Sequence, residues 1–204
     1  MRIDTLEAGT SLNVMDFKPK NTAQPAKGKL LISDPFMGDP YFNRSVILLC
    51  EHNEEGSFGF ILNKYVELDL DDILQGLPPM ESRISLGGPV ENNNLYYIHT
   101  LGETLPGSVE VVDGIFVGGD FEIVKSLMND GKVADSEIRF FVGYSGWGEE
   151  QLADELETES WYVADVLNLP IMDTARDDLW SLAFKQMGGS FAPLANFPAD
   201  PGMN

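Results

Sequence analysis

Residues 28–64, GKLLISDPFMGDPYFNRSVILLCEHNEEGSFGFILNK, decide the fold of this chain. Two apolar runs within this stretch, residues 45–50 and 58–62, flank the polar residues 53–56, NEEG. A short loop that contains glycine between two such runs is typical of a β-hairpin. The stretch therefore predicts two antiparallel strands joined by this turn, although the pattern by itself indicates no reaction.

Strand and helix patterns continue through the rest of the chain. Apolar residues with helical spacing occur in residues 70–77, 121–128, 149–159 and 177–187. Strand patterns occupy residues 83–86, 95–99, 115–117, 138–142 and 161–163, and the first two are predicted to form a second hairpin across residues 91–94. Hairpins followed by alternating strands and helices predict the α+β class rather than a doubly wound parallel sheet.

Glycines interrupt several of these strand patterns. They are Gly59, Gly87, Gly88, Gly118, Gly119 and Gly143. A glycine inside a strand often marks a bulge, a sharp bend or a close approach of two backbones. The predicted fold is therefore α+β, with curved and mostly antiparallel sheets built from hairpins, and with several helices packed on them.

Length and composition fit one large globular unit. The chain has 204 residues, of which 43% are hydrophobic, so it can bury a sizeable core. We predict a partly flexible N-terminal arm over residues 1–29, because its pattern is weak and it contains the stretch KPKNTAQP. One α+β domain, or two intimately packed lobes, is predicted over residues 30–190, and a tail over residues 191–204.

The charge of the chain is strongly negative. It has 33 acidic and 13 basic residues, for a formal net charge of −20. Such a charge repels phosphate backbones and anionic lipid headgroups, so direct nucleic-acid binding is disfavoured and no membrane association is expected. A single cysteine, Cys50, excludes an intramolecular disulfide and fits a reducing compartment. With no signal-peptide pattern near the first residue, we expect a cytoplasmic protein.

A series of short motifs carries a family resemblance. The motifs are D-P-x-F-x-R-S-V at residues 39–46, C-E-H-N at 50–53, G-x-x-G-x-I-L-N-K at 56–64, G-G-P-V at 87–90, H-T at 99–100, F-V-G-G-D at 116–120, G-Y-S-G-W at 143–147, Q-L at 151–152, and Trp161. Their order resembles the AlgH/YqgE family. The resemblance covers nearly everything from Leu30 onward.

The resemblance implies a cytoplasmic α+β protein of AlgH-like fold whose biochemistry is not established. One member of the family is linked to the control of alginate production, which implies a regulator by name rather than by mechanism. In the family, proline often follows the N-K pair of the hairpin, whereas this chain has Tyr65 there. The exit from the hairpin is therefore expected to differ.

Ser145 is the first candidate nucleophile, because it lies between a predicted strand and a predicted helix, as in serine hydrolases. The motif G-x-S-x-G is incomplete, since Trp147 stands at its second glycine. In addition, His52 and His99 both precede the serine, whereas the base follows it in those hydrolases. The segment is therefore interpreted as a structural turn, although other triad orders stay open.

Cys50 and His52 form the second candidate centre. They are two residues apart on a predicted strand, so their side chains are expected to share one face. Together with His99 or Asp39 they could bind zinc, or Cys50 could act as a nucleophile with His52 as its base. Because the chain has no C-x-x-C pair and Cys50 has apolar neighbours, we predict no metal, no other cofactor and no catalytic residue.

Polar residues around the first hairpin form the remaining candidate site. They are Asp34, Asp39, Arg44, Glu51, His52, Asn53, Asn63 and Lys64. The structural interpretation is that the two aspartates fix turns that contain proline, Asn53 caps the hairpin and Arg44 pairs with a carboxylate. The functional hypothesis is that these residues line a groove for a polar ligand or a partner protein.

Three classes of function stay open on these grounds. The first is a noncatalytic interaction or regulatory protein that binds a partner protein or a small polar ligand. The second is a hydrolase-like or metal-assisted enzyme that uses Ser145, or Cys50 with His52. The third is a DNA-binding transcriptional regulator, which the net charge disfavours. The sequence indicates neither the ligand nor the oligomeric state.

Overall fold

Nine strands and four helices follow one another through residues 18–68 and 70–198, which the computed structural model describes. The strands are β1 (Lys29–Ser33), β2 (Val46–Asn53), β3 (Gly56–Ile61), β4 (Ser85–Leu86), β5 (Val90–His99), β6 (Ser108–Val112), β7 (Ile115–Gly118), β8 (Ile138–Trp147) and β9 (Trp161–Asp165). The helices are α1 (Leu70–Ile73), α2 (Phe121–Asn129), α3 (Gln151–Glu157) and α4 (Leu179–Met187). Expectations for residues 1–17, 69 and 199–204 lie outside the described residues.

One sheet contains all of these strands, in the order β6-β7-β5-β8-β3-β2-β1-β9, with β4 beside β8. Every pair is antiparallel except β4 and β8. The hairpin of β2 and β3 is confirmed, with Asn53 opposite Gly56 at its turn. The sheet curls, because Val111 of β6 and Leu48 of β2 belong to the same buried cluster although the strands are far apart in strand order. The predicted α+β fold with a curved, mostly antiparallel sheet is confirmed.

The predicted second hairpin is wrong. Strand β4 pairs in parallel with β8, and β5 lies between β8 and β7. Residues 91–94, predicted as a turn, belong to β5, where the register shifts between Val90 and Leu95. At Gly88 the chain crosses close to the backbone of β8: a Cβ atom added to Gly88 would lie 2.3 Å from the carbonyl oxygen of Tyr144. Because of this crossing, the next strand, β5, pairs with β8 and does not fold back to pair with β4.

A bulge at Gly143 changes the direction of the side chains along β8. Gly143 has φ +68°, which favours glycine. Residues 143–147 were predicted as a turn, but they continue strand β8, so the prediction of a turn was wrong. Before the bulge Phe141 packs into the concave core, and after it Tyr144 does so. Trp147 then packs on the convex face, so the alternation of the side chains is inverted at Gly143, which lies opposite residues 91–94 of β5.

Three buried clusters within the described part of the chain stabilise the curled sheet. The concave core joins side chains from both halves of the sheet and is covered by α4, as shown by Ile32, Leu48, Phe60, Ile98, Phe141, Trp180 and Phe184. One convex core lies under α3, and another lies under α1 and α2. Full burial of a large apolar side chain contributes about 1.5–3 kcal/mol, so the concave core is the main stabilising element.

Hydrogen bonds from tryptophan fix the positions of α3 and α4. Glu155 of α3 accepts the indole N–H groups of Trp147 at 2.9 Å and of Trp161 at 2.7 Å. Trp180 of α4 donates to the carbonyl oxygen of Ser33 at 3.0 Å. A buried indole N–H needs such a partner. Both helices are therefore attached to defined strands rather than only packed on them.

Helix α1 is shorter than the predicted helix over residues 70–77, because it ends at Ile73 and the chain turns at Gly76, where φ is +85°. Leu77 is nevertheless buried in the convex core that lies under α1 and α2. Strand β6 was not predicted, although Val109 and Val111 alternate with Glu110 and the pair Asp113-Gly114 before β7 is typical of a hairpin turn. In the tail, residues 192–196 form a 3-10 turn with Leu194 and Ala195 buried.

Arg139 is the largest fully buried side chain of the described residues, with 0% of its surface exposed. Its guanidinium donates to the carbonyl oxygens of Leu62 and Ile171 and to the hydroxyl of Ser85, at 2.9 Å for the Nη2 contact. Burial lowers the pKa of Arg139 to about 10. The side chain therefore stays charged at neutral pH, and it ties β8 to the end of β3, to β4 and to the loop before α4.

Tyr65, at the position where the family often has proline, stacks on an arginine. Its ring centroid lies 3.6 Å from the guanidinium carbon of Arg83 and 5.9 Å from that of Arg139. Its hydroxyl donates to the carbonyl oxygen of Arg176 at 3.0 Å. The exit from the hairpin is thus attached to the loop before α4 by a side chain that proline lacks.

Candidate functional site

The eight predicted site residues lie at two ends of the β2–β3 hairpin. Glu51, His52 and Asn53 lie at the turn, and the other five lie where β2 begins and β3 ends. A strand of eight residues spans about 26 Å at the usual rise per residue. The two groups therefore do not line one groove. We name the end of the strands at the β2–β3 turn the open edge of the sheet. The other end, where β2 begins and β3 ends, is the closed edge.

Asp34 and Asp39 shape turns at the closed edge. Asp34 is 4% exposed, accepts the N–H of Phe36 at 2.9 Å and the hydroxyl of Tyr162 at 3.2 Å, and pairs with Lys18 at 2.9 Å. Asp39 accepts the backbone N–H groups of residues 41 and 42 at 2.8 and 3.0 Å. The bonds from backbone N–H groups to Asp34 and Asp39 form Asx turns, as the structural interpretation predicted.

Arg44, Asn63 and Lys64 also bond to the protein itself. Asn63 accepts the N–H of Val46 and donates to the carbonyl of Arg44, at 2.8 and 2.7 Å. Arg44 donates to the carbonyl of Phe197 and lies over the ring of Trp180, 4.3 Å from its centroid. The expected carboxylate partner of Arg44 is not found in the described residues. Burial lowers the pKa of Lys64, whose ammonium lies 3.5 Å from the carbonyl of Pro40.

A bulge separates Cys50 from His52. The register of β2 against β3 shifts between Leu49 and Glu51, so Cys50 is the extra residue. The thiol of Cys50 lies in the concave core, whereas His52 pairs with Ser57 across the hairpin and lines a surface next to α3. The expectation that Cys50 and His52 share one face was wrong, because one extra residue inverts the alternation. They cannot bind one ion.

The other reactive side chains are bonded to backbone groups. Burial raises the pKa of the Cys50 thiol, which disfavours a thiolate. Ser145 is buried and donates to the carbonyl of Gly87 at 3.0 Å. His99 accepts the N–H of Leu101 at Nδ1, and its Nε2 lies 3.0 Å from the carbonyl of Gly118 and 3.1 Å from the hydroxyl of Ser108, which donates to the carbonyl of Leu105. The structure therefore does not bring Ser145 together with either histidine.

A cleft of about 640 Å³ opens at the open edge of the sheet. We name it the acidic cleft. It is lined by Glu51, Asn53, Glu55, Gly56, Ser57, Phe58, Val90, Glu91, Tyr96, Tyr144, Gly146, Trp147 and Gly148. Its volume is within the usual range for ligand sites. Three of these described lining residues are glutamates, and none is lysine, arginine or histidine.

Aromatic rings form the floor of the acidic cleft. The ring of Tyr144 meets those of Phe58 and Tyr96 edge to face, with centroids 6.1 and 5.6 Å apart. All three side chains are half-buried, and they come from β3, β5 and β8. The bulge at Gly143 is what turns Tyr144 to this side of the sheet.

The rim of the cleft carries the carboxylates. Glu91 has φ +48° and accepts hydrogen bonds from the hydroxyl of Tyr96 and from the side chain of Asn94, the latter at 2.8 Å. These bonds lower the pKa of Glu91, so its carboxylate stays ionised in mildly acidic solution. Glu51 accepts from the side chain of Asn53 at 2.7 Å on the opposite wall. The cleft thus combines fixed negative charge with exposed ring surface.

Sequence reasoning identified only Glu51 and Asn53 among the cleft residues. Glu91 was assigned to a turn, and Tyr96 and Tyr144 were not singled out. Their convergence depends on the order of β5, β8 and β3 in the sheet and on two bulges. The available signal was an aromatic residue beside a glycine in β3 and in β8, and β5 contains no glycine.

The fold and the cleft define an α+β protein with one curled, mostly antiparallel sheet and an open acidic groove at one edge. A family model described as AlgH-like matches residues 30–192. The chain therefore belongs to the AlgH-like family, and the resemblance seen in its motifs is confirmed. None of the helices in residues 18–68 and 70–198 combines the length and the apolarity that a membrane crossing requires.

Relatives and solved structures agree with this membership. A UPF0301 protein of Cytophaga hutchinsonii is 42% identical over 179 residues, which are 87% of this chain and 98% of the relative. A UPF0301 protein of Chlorobaculum tepidum is 42% identical over 177 residues, 87% of this chain and 95% of the relative. The solution structure of the AlgH protein from Pseudomonas aeruginosa matches with a TM-score of 0.68 at 25% identity, over 86% of this chain and 97% of that one. A Corynebacterium diphtheriae crystal structure matches in fold, with a TM-score of 0.71 at 24% identity, over 86% of this chain and 94% of that one.

Proposed function

We propose that this protein is a noncatalytic interaction protein that binds a partner through the acidic cleft. The observation that carries the proposal is the cleft itself, with three carboxylates on its rim and three half-buried rings on its floor. Concave sites with an apolar floor and a few placed polar groups are the usual form of binding sites. The proposal keeps Glu51 and Asn53 as site residues.

The predicted residues of the closed edge receive a structural role in this proposal. Asp34, Asp39 and Asn63 form hydrogen bonds to backbone groups, and Arg44 bonds to a carbonyl and stacks on Trp180. Groups that are already bonded within the protein offer less to a ligand than the rim carboxylates do. We therefore place partner binding at the open edge.

Site-specific photo-crosslinking in cells of the source organism tests the proposal. Gly148 lines the cleft, and a Cβ atom added there would meet nothing within 4 Å, so a photoreactive residue can replace it without a clash. We expect a discrete protein adduct from position 148. The control position is Glu103, which is exposed in the turn that follows β5, at the other end of that strand from the cleft.

The adduct should disappear when Tyr144→Leu is combined with Glu91→Gln. If positions 148 and 103 give the same adducts, or if the adduct survives the double substitution, the cleft is not the binding site. A melting curve of each variant separates loss of binding from loss of folding.

An enzymatic alternative is favoured by one contact. The hydroxyl of Ser57 lies 2.7 Å from Nδ1 of His52, within reach of a proton transfer. Ser57 is buried, however, with 9% of its surface exposed. A fluorophosphonate probe tests this alternative: labelling that is lost in Ser57→Ala and in His52→Gln supports a hydrolase, and the absence of labelling contradicts it.

A further inference from the structure

The acidic cleft has a chemistry that selects among binding partners. If it is a binding site, as proposed above, its occupant must complement three glutamates and half-buried aromatic rings. We infer that the occupant is a lysine- or arginine-rich extended segment of a partner protein, whose cationic side chains lie over Tyr144 and Tyr96 between the rim carboxylates.

Charge complementarity is the first argument. The carboxylates lie on two walls, Glu51 and Glu55 at the hairpin turn and Glu91 at the start of β5. No described residue that lines the cleft carries a positive charge to neutralise them. The net charge of −20 adds a field that attracts cationic groups from a distance. An anionic occupant would be repelled from both walls.

The aromatic floor is the second argument. A cation over the face of a tyrosine or phenylalanine ring gains about 0.5–2 kcal/mol, depending on desolvation. The rings of Tyr144 and Tyr96 meet edge to face, so they present surfaces in different directions to the cleft. The aliphatic stems of lysine and arginine can cover such rings while the charged group reaches a carboxylate. A neutral polar segment would gain neither contact.

The shape of the cleft is the third argument. The cleft is open to solvent and has a volume of about 640 Å³, which is more space than one amino group needs. An extended peptide places every second side chain on one face, about 7 Å apart. Cationic residues at alternate positions could therefore meet both walls. A small free cation would fill only part of this space and would stay largely hydrated.

Equilibrium binding of labelled peptides tests the inference. The probe is a short fluorescent peptide in which lysine alternates with glycine, and the matched probe has glutamine in place of lysine. We expect the lysine peptide to bind the wild-type protein, and to bind more weakly as salt rises from about 50 to about 300 mM. The glutamine peptide should not bind. Equally tight binding by spermidine would overturn the assignment to a peptide.

Substitutions locate the binding. Glu91→Gln should weaken binding of the lysine peptide about threefold to tenfold, since it removes one exposed charge contact. Tyr144→Leu keeps an apolar side chain but removes the ring, and it should weaken binding by a similar factor. The matched control is Glu103→Gln, which removes the same charge at the other end of β5 and should change binding less than about twofold.

The results separate this inference from the proposed function. If Glu103→Gln weakens binding as much as Glu91→Gln, the peptide is attracted by net charge alone and the inference is wrong. If the lysine peptide does not bind but crosslinking from position 148 still depends on Tyr144, the cleft binds a partner of another chemistry. If both experiments are negative, the inference and the proposed function are both wrong.

Discussion

The closed and open edges of the sheet both contain polar side chains but use them differently. At the closed edge, Asn63, His99 and Arg139 each bond to backbone groups and are buried or half-buried. At the open edge, Glu51 and Glu91 are exposed and face a cleft. The density of polar residues is therefore a poor guide to a binding site. What distinguishes the two edges is whether backbone groups of the protein already occupy the hydrogen-bonding capacity of each side chain.

Arg139→Ala should give the largest loss of stability at the closed edge. The substitution empties a large buried volume and leaves the carbonyls of Leu62 and Ile171 and the hydroxyl of Ser85 without their donor. The cavity and the unpaired carbonyls together should cost about 3–5 kcal/mol. Chemical denaturation measures the free energy of unfolding. Arg176→Ala, at a partly exposed arginine paired with Asp178, is the control and should leave the midpoint nearly unchanged.

A loss below about 1 kcal/mol for Arg139→Ala would mean that desolvation of the charge already cancels its hydrogen bonds. The closed edge would then not be held by its buried polar groups, and the contrast between the edges would fail there.

Asn63→Ala should give the next largest effect. Its side chain bonds both to the N–H of Val46 and to the carbonyl of Arg44, and Val46 is fully buried. Loss of both bonds, with a buried N–H left unpaired, should cost about 2–3 kcal/mol in the free energy of unfolding. A loss below about 1 kcal/mol would contradict this account of the two bonds.

His99 predicts a pH dependence of stability. Burial lowers the pKa of His99 below its ordinary value of 6.5. The unfolded chain therefore binds a proton more readily than the folded protein, so the contribution of His99 is present above pH 6.5 and is lost as the pH falls below it. Unfolding curves measured between about pH 7.5 and about pH 5.5 should show this loss of stability. The loss should be smaller in His99→Gln, and an identical slope in both proteins would contradict the assignment.

The parts of the fold that were predicted correctly depend on local chemistry. The β2–β3 hairpin follows from a glycine turn between two apolar runs, and α2 and α4 follow from helical spacing. The pairing of β4 with β8 was missed, because Ser85 meets Phe141 across many intervening residues and no local pattern encodes that contact. Bulges had a similar effect, since the extra residue at Cys50 and the positive φ of Gly143 each invert the side chains that follow.

The candidate site shows the same limit more strongly. Glu51 and Asn53 were predicted because they flank a recognisable turn, but Glu91 and Tyr144 join them only through sheet order and bulges. Arg139 was missed because an arginine inside an apolar strand gives no sign of which carbonyls will surround it. Sequence patterns indicate which residues are polar, whereas the tertiary structure decides which of them are already bonded.

Asn53→Ala has the smallest expected effect, and it is the most direct test of the comparison between the edges. Asn53 makes two bonds, as Asn63 does: it donates to Glu51 at 2.7 Å and accepts the N–H of Glu55 at 2.8 Å. Asn53 is exposed, so water can replace both partners when the side chain is removed. We expect a change of about 0.5 kcal/mol or less in the free energy of unfolding, against about 2–3 kcal/mol for Asn63→Ala.

The two variants carry the same substitution and lose the same number of side-chain hydrogen bonds, so burial is the main difference between them. Denaturation of both under identical conditions isolates that variable. Equal losses would show that turn geometry, rather than desolvation, determines the contribution of each asparagine, and the division into a structural and a binding edge would lose its basis. A small loss at Asn53, together with weaker binding of the lysine peptide once Glu51 is no longer anchored, would show that the open edge is organised for a ligand and not for stability.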